Sequence, residues 1–266
     1  MSFINILNKR IHYKLIHSGE WSSEIPVIVF LHEGLGSIGQ WRSFPEKLCK
    51  ATGFQGLVYE RIGYGKSDYW DTEIPFDFLH NEAYVMLPEL LNQLNIQQNY
   101  FVFGHSDGGT MALLHASTNP EKLKGIVVEA PHVIIEKESI RGLKITRLYL
   151  KNEEWMEKLG KHHPHRARRL LDEWTAFWLS HAAQEWQMLV ELKKINTPGV
   201  LIQGNKDHFG TFKQLETIAS LSKSRMKILK LEDCGHVPHF EKEREVLNES
   251  IIFFQNKQNS LEFKFE

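Results

Sequence analysis

Short, uninterrupted apolar runs recur along the chain, each closed off by turn-forming residues. Pro26-Val27-Ile28-Val29-Phe30-Leu31-His32 is the first, and similar runs lie at residues 56–59, 100–103, 125–128, 200–202 and 226–231. A half-exposed strand alternates apolar and polar side chains, whereas a run that is apolar at every position suits a strand buried on both faces. Between the runs the apolar positions shift to helical spacing, which predicts helices over residues 41–50, 78–94, 110–117, 212–221 and 243–254. At the N-terminus two short strand-like stretches, 4–7 and 10–16, flank the polar pair Asn8-Lys9, the pattern of a β-hairpin. Strands alternating with helices define an α/β protein with a mostly parallel sheet covered on both faces.

One segment breaks the alternation. Residues 132–194 hold no strand-like run, only helical periodicity, four tryptophans and a histidine cluster. Ala167, Leu170, Leu171, Trp174 and Trp178 recur at helical spacing and form one apolar stripe. The expected organisation is therefore a core of residues 1–131 and 195–266 with a helical cap, 132–194, inserted between two strands. The stripe is expected to form cap core, and one of its rings can also line a pocket. The polar tail from residue 255 is expected to fray.

Composition changes this picture by exclusion. A formal net charge of −1, from 32 basic and 33 acidic side chains, gives no electrostatic basis for nucleic acid or an anionic membrane as partner. With 42% hydrophobic and 24% charged residues, the chain has the mix of an ordinary soluble globular protein and buries a core without disulfide or metal staples. Its two cysteines, Cys49 and Cys234, are far apart and outside any Cys-x-x-Cys pair, which fits a reducing compartment. Residues 1–14 lack the apolar core of a signal peptide, and no apolar run nears the roughly 18 residues of a membrane span. A cytoplasmic protein acting on a small molecule is expected.

The strongest chemical signal is Gly104-His105-Ser106-Asp107-Gly108-Gly109, placed directly after one buried run and before a helix. Gly-x-Ser-x-Gly in that setting makes a sharp turn that lifts the serine oxygen out of the sheet. The plain alternative is a glycine-rich turn with an incidental serine, and the strand–turn–helix context favours the nucleophile. A serine hydroxyl needs a base, and the base needs an orienting carboxylate. Asp207 follows the run at 200–202, at the strand edge where α/β sheets place their sites, and His236 follows a glycine in the loop after the last run. The rival base is His239 and the rival acid is Glu129. For the oxyanion, His32-Glu33-Gly34-Leu35-Gly36 follows the first buried run, and its glycines free the backbone to turn its N–H groups inward. The N–H groups of Gly34 and Asp107 are the expected donors, against the plain reading of a glycine-rich turn.

Other conspicuous residues read blandly. His162, His163 and His165 cannot share a helix face, and no carboxylate or cysteine completes a metal set at ligand spacing. No metal is expected. Arg166, Arg168 and Arg169 read as a solvated helix face.

The elbow, the acid after a strand, the Gly-His near the C-terminus and Glu60-Arg61-Ile62-Gly63-Tyr64-Gly65-Lys66-Ser67-Asp68 together resemble the α/β-hydrolase superfamily over about residues 3–256. The last of these stretches reads as an architectural turn. The resemblance implies an eight-stranded, mostly parallel sheet with a helical cap, no cofactor, and a Ser106–Asp207–His236 triad. It points to hydrolysis of small carboxylic esters through an acyl-serine. Hydrolysis of a C–C bond next to a carbonyl and acyl transfer are the alternatives, with a non-catalytic ligand receptor as a reading from another class. Dehalogenase and epoxide-hydrolase chemistry is disfavoured, because those members carry Asp where this chain has Ser106. Two positions depart from the family pattern: Glu33 replaces a usual glycine, and Asp107 replaces a usual apolar residue. Gly-x-Ser-Asp-Gly-Gly is similar to the elbow of the biphenyl-hydrolase-like esterases, which implies that the Asp107 carboxylate recognises an ammonium on the acyl group. The plain alternative is helix-terminal stabilisation, since an acid in the first turn meets the helix dipole.

Overall fold

The buried runs fold into one eight-stranded sheet in a computed structural model that describes residues 2–71 and 73–262. The strands are β1 (Ser2–Ile6), β2 (Lys9–Ile16), β3 (Val27–Leu31), β4 (Gln55–Tyr59), β5 (Tyr100–His105), β6 (Leu123–Glu129), β7 (Gly199–Gly204) and β8 (Met226–Leu231). Their order across the sheet is β1-β2-β4-β3-β5-β6-β7-β8, antiparallel at β1/β2 and β2/β4 and parallel elsewhere. The hairpin register pairs Ile6 with Lys9, so the turn is Leu7-Asn8 and not Asn8-Lys9. Both turn residues take positive φ, 48° and 65°, as a two-residue hairpin matched to strand twist requires.

Alternate side chains of the central strands feed two separate cores. Val27, Val29, Leu31, Val102, Ile126 and Val128 pack on one face, and Ile28, Phe30, Phe101, Phe103, Val127 and Ile202 on the other. Period-two geometry sends neighbours to opposite faces, so a strand covered on both sides must be apolar throughout. Helices α1 (Phe44–Thr52), α2 (Phe78–Asn81), α3 (Leu87–Gln93) and α4 (Asp107–Ser117) fill the first half of the chain. A single π-type turn, Glu82–Met86, joins α2 to α3. Five helices follow β6: α5 (Lys137–Leu148), α6 (Glu153–Gly160), α7 (Ala167–Leu179), α8 (His181–Gln184) and α9 (Leu189–Leu192). The chain then adds α10 (Lys213–Leu221), α11 (Pro238–Glu241) and α12 (Glu243–Glu262). The predicted stripe on α7 is buried. The tail departs from expectation, because α12 runs on to Glu262 instead of fraying from residue 255; residues 263–266 lie outside the described residues. Ile251, Phe253 and Phe254 anchor α12 on the second core, and a helix so anchored extends cheaply into polar residues.

The Gly-Tyr-Gly turn ties the sheet to its loops. The buried Glu60 carboxylate accepts from Lys66 N at 2.6 Å and Ile38 N at 3.1 Å, and the Ser67 hydroxyl bridges Glu60 O and His12 N. Arg166 also binds this turn, through Ser67 O at 2.6 Å, so it is not simply a solvated residue.

Candidate active site

The loops at the carboxyl ends of β3, β5, β7 and β8 meet at one point, where Ser106 stands at the tip of the turn from β5 into α4. Its backbone adopts φ 54° and ψ −119°, a conformation disfavoured for any residue with a Cβ. The turn closes because Gly108 has no side chain: a Cβ there would lie 2.0 Å from the carbonyl oxygen of Leu31. Ser106 N is anchored to Glu129 O at 2.9 Å, which fixes the elbow to β6.

His236 Nε2 accepts from Ser106 Oγ at 3.0 Å, and its Nδ1–H donates to both oxygens of Asp207 at 2.9 Å. Asp207 is held in turn by Phe209 N at 2.8 Å and Gln203 Nε2 at 3.2 Å. Burial works against charge on His236, yet the adjacent Asp207 carboxylate, aided by Glu33 and Asp107, outweighs it and raises the imidazole above its ordinary value. Burial likewise pushes Asp207 up, but His236 and the hydrogen bonds it accepts prevail and keep its carboxyl lowered.

The rivals for base and acid have found each other instead. His239 Nδ1 lies 2.6 Å from Glu129 Oε2, both buried beneath the His236 loop. Burial pushes Glu129 well above and His239 down to about 3, so both groups are driven to neutral forms. His105 completes this lower layer by donating from Nε2 to His236 O at 2.7 Å, which fixes the loop that carries His236.

Gly34 lies in the loop after β3, and Asp107 opens α4 directly after the serine. Among the described residues, neither backbone N–H has a protein acceptor. The carbonyl of the Glu33–Gly34 peptide accepts from Arg61 Nη2 and from His32 Nδ1, each at 2.7 Å. Since a trans peptide holds its C=O and N–H in opposite directions, these two bonds and a third from Gly36 N at 3.1 Å also fix where Gly34 N–H points. The Trp174 indole lies against Gly34, where an added Cβ would come 2.4 Å from Nε1.

The Asp107 side chain is only 2% exposed. Its carboxylate accepts from Trp174 Nε1 at 3.2 Å and lies 3.7 Å from Arg61 Nη2 and 3.9 Å from His132 Nδ1. Burial lowers His132 to about 4, against the pull of Asp107, so the counter-charge is Arg61. Arg61 is itself buried, with its guanidinium 4.3 Å over the Tyr64 ring. Sequence reading missed this use of Arg61 and the contact to His132, because nothing local links residues so far apart. Trp174 carried a signal, being part of the α7 stripe. Glu33 carried one too, as a departure from the family loop: its carboxyl lines the cavity at Ser106, and burial, with Asp107 adding, raises it.

A cavity of about 80 Å³ opens on Ser106, walled by Leu143, Trp174, Trp178, Phe209 and Pro131 with Glu33 at its edge. Among the described residues no group of three or more His, Cys, Asp or Glu side chains is placed to hold a metal ion. In the histidine cluster, His163 accepts from Gly65 N at 2.9 Å and donates to Leu35 O at 2.8 Å, which uses both ring nitrogens. Nor is any helix among the described residues long and apolar enough to cross a membrane.

A strained serine after the fifth strand, hydrogen-bonded to a histidine from the loop after the last, defines a site of the α/β-hydrolase type. The sequence profile of the α/β-hydrolase fold matches residues 26–173, more than half of the chain, and the protein belongs to that family of hydrolases. Among curated relatives, the putative carbamate hydrolase RutD of Pseudomonas syringae pv. syringae (strain B728a) is 25% identical over 235 residues, covering 80% of this chain and 88% of the relative. Human monoglyceride lipase is 25% identical over 242 residues, covering 80% of this chain and 76% of the lipase. Proline iminopeptidase of Mycobacterium smegmatis superposes with a TM-score of 0.74 at 18% identity, covering 98% of this chain and 99% of that one. The enol-lactonase of Burkholderia xenovorans LB400 gives 0.71 at 16% identity, covering 95% and 99%.

Proposed function

We propose that the protein is a serine esterase that cleaves small carboxylic esters through an acyl-Ser106 intermediate. The observation that carries this reading is the continuous hydrogen-bonded line Asp207–His236–Ser106, ending on a serine held at positive φ, with the Gly34 and Asp107 N–H groups left without an acceptor among the described residues. As Ser106 Oγ attacks the carbonyl carbon, its proton passes to His236 Nε2, and Asp207 stabilises the imidazolium that forms. Negative charge grows on the former carbonyl oxygen, where the N–H groups of Gly34 and Asp107 receive it. His236 then gives its proton to the departing alcohol, and water repeats the sequence in reverse to release the acid.

Residues 132–194 act in this reading as a lid, with Leu143 and Thr146 of α5 and Trp174 and Trp178 of α7 closing the acyl cavity. The cavity at Ser106 is small, about 80 Å³. Short or compact acyl chains are the expected substrates. The Asp107 carboxylate is given to the protein and not to a substrate ammonium, because a buried guanidinium and an indole N–H already receive it.

The test is labelling with a fluorophosphonate, followed by peptide mass mapping and by hydrolysis of a panel of esters, carbamates, amides and ring-cleavage diketones. Stoichiometric adduct on Ser106, abolished in Ser106→Ala, with esters as the fastest class, is the expected result. Adduct at another residue would overturn the nucleophile, and a faster non-ester class would overturn the substrate assignment.

A further inference from the structure

A cavity larger than the one at Ser106 lies beside it. A space of about 430 Å³ lies on the other side of Glu33, floored by His32 and His105 and walled by Trp41, Trp155 and Phe240. Glu33 lines both cavities and is the residue they share. The walls beyond Glu33 are aromatic, and the positive groups at the rim are Arg42 and Lys158. Among the described residues, Glu33 is the one acidic residue that lines this space.

Arg42 is held at a cost. Its φ of 52° and ψ of −126° lie where side chains are strained, and its guanidinium stacks 4.5 Å over Phe240 at the mouth. Among the described residues it has no carboxylate within ion-pair distance, whereas Lys158 shares Glu154 across one helical turn in solvent. Strain that survives on an exposed, positively charged residue at a cavity mouth is a reason to look for what that residue binds.

We infer that the larger cavity is the leaving-group subsite and that it takes an alcohol with an aromatic body ending in an anionic oxygen group, a carboxylate or phosphate. The inference rests on the esterase reading. The aromatic part lies between Trp155 and Phe240, and its length carries the anion past Glu33 to Arg42 and Lys158. The spacing matters, since an anion close to the scissile bond would meet the Glu33 carboxyl instead.

The experiment compares three acetate esters of equal size and similar intrinsic reactivity, made on para-hydroxyphenylpropanoate, on its neutral amide and on the corresponding trimethylammonium phenol. Each kcat/KM is divided by the hydroxide-catalysed rate of the same ester. The anionic ester is expected to exceed the neutral one by about tenfold, the size of one charge-assisted hydrogen bond, with the cationic ester slowest. In Arg42→Gln and in Lys158→Glu the anionic-to-neutral ratio should fall by about threefold or more, mainly through KM. Raising ionic strength should shrink the same ratio in the parent protein. Fluorophosphonate labelling of Ser106 is run on every variant, so a lost nucleophile is told apart from a lost subsite. Because Arg42 sits in a strained turn, Lys158→Glu supplies the same test from an exposed helix face. A ratio near one in the parent protein, a preference for the cation, or ratios unmoved by both variants would overturn the assignment.

Discussion

Replacing Asp107 by Asn separates the ammonium recognition that the sequence allowed for this residue from the pairing with Arg61 that the fold gives it. The variant keeps the backbone N–H, the size, and an oxygen that can accept from Trp174 Nε1. It removes the negative charge 3.7 Å from Arg61 Nη2, in a pair whose side chains are 1% and 2% exposed. Taking one partner from a buried ion pair costs about 3–5 kcal/mol, because the other charge remains buried. Arg61 still donates to Glu33 O at 2.7 Å and still lies over the Tyr64 ring, so the lower end, about 3 kcal/mol, applies. For a chain of this size that corresponds to a fall in Tm of about 6–12 °C. The double variant Arg61→Met/Asp107→Asn should lose less than the sum of the two singles, with a coupling of about 1–3 kcal/mol. Kinetically, kcat/KM should fall by a similar factor for matched esters with and without an α-amino group. The assays are thermal unfolding of the four proteins of the cycle and initial rates on the ester pair. A Tm within about 2 °C of the parent, together with a selective loss of tenfold or more on the amino ester, would refute the reasoning and return Asp107 to ammonium recognition.

Asp207→Asn should slow ester turnover by on the order of 10³-fold or more, while Glu129→Gln should leave the rate of Ser106 labelling within about threefold; the reverse order would move the acid from β7 to β6. Burial raises the Glu82 carboxyl from 4.5 to about 7, against the attraction of Arg61. Its folded-state pKa lies above the unfolded one, so this contribution to stability is whole below about pH 4.5 and is lost as pH rises through 7. Between pH 5 and 8 urea unfolding should show a loss of roughly 2–3 kcal/mol from this group, absent in Glu82→Gln, and equal slopes in the two proteins would remove the assignment. Trp174→Ala should widen the acyl cavity and move the best acyl chain to greater length. An unchanged chain-length profile would mean that the indole does not bound the acyl group.

The sequence by itself determined the strands, most helices, the elbow and the three residues that meet at it. Each of these is a local pattern. An unbroken apolar run such as 27–31 has one stable place, the middle of a covered sheet, and a glycine-flanked serine after such a run has one geometry. Even Asp207 and His236, distant from Ser106 in the chain, were legible because each follows its own strand, and parallel strands deliver such loops to one edge. What the tertiary structure decided was pairing. Glu129 and His239 were open rivals until the fold brought them within 2.6 Å of each other and away from Ser106. Asp107 stood open between a substrate ammonium and the helix terminus until Arg61, from the loop after β4, appeared beside it. The length of α12 was decided by apolar side chains on the second core, not by the polar residues at its end. The two cavities that share Glu33 exist only once α5, α6 and α7 are packed over the loops. Periodicity records whether a residue is buried, but a buried charge or ring is chosen by its neighbours in space, and those come from elements whose separation in sequence carries no trace of the contact.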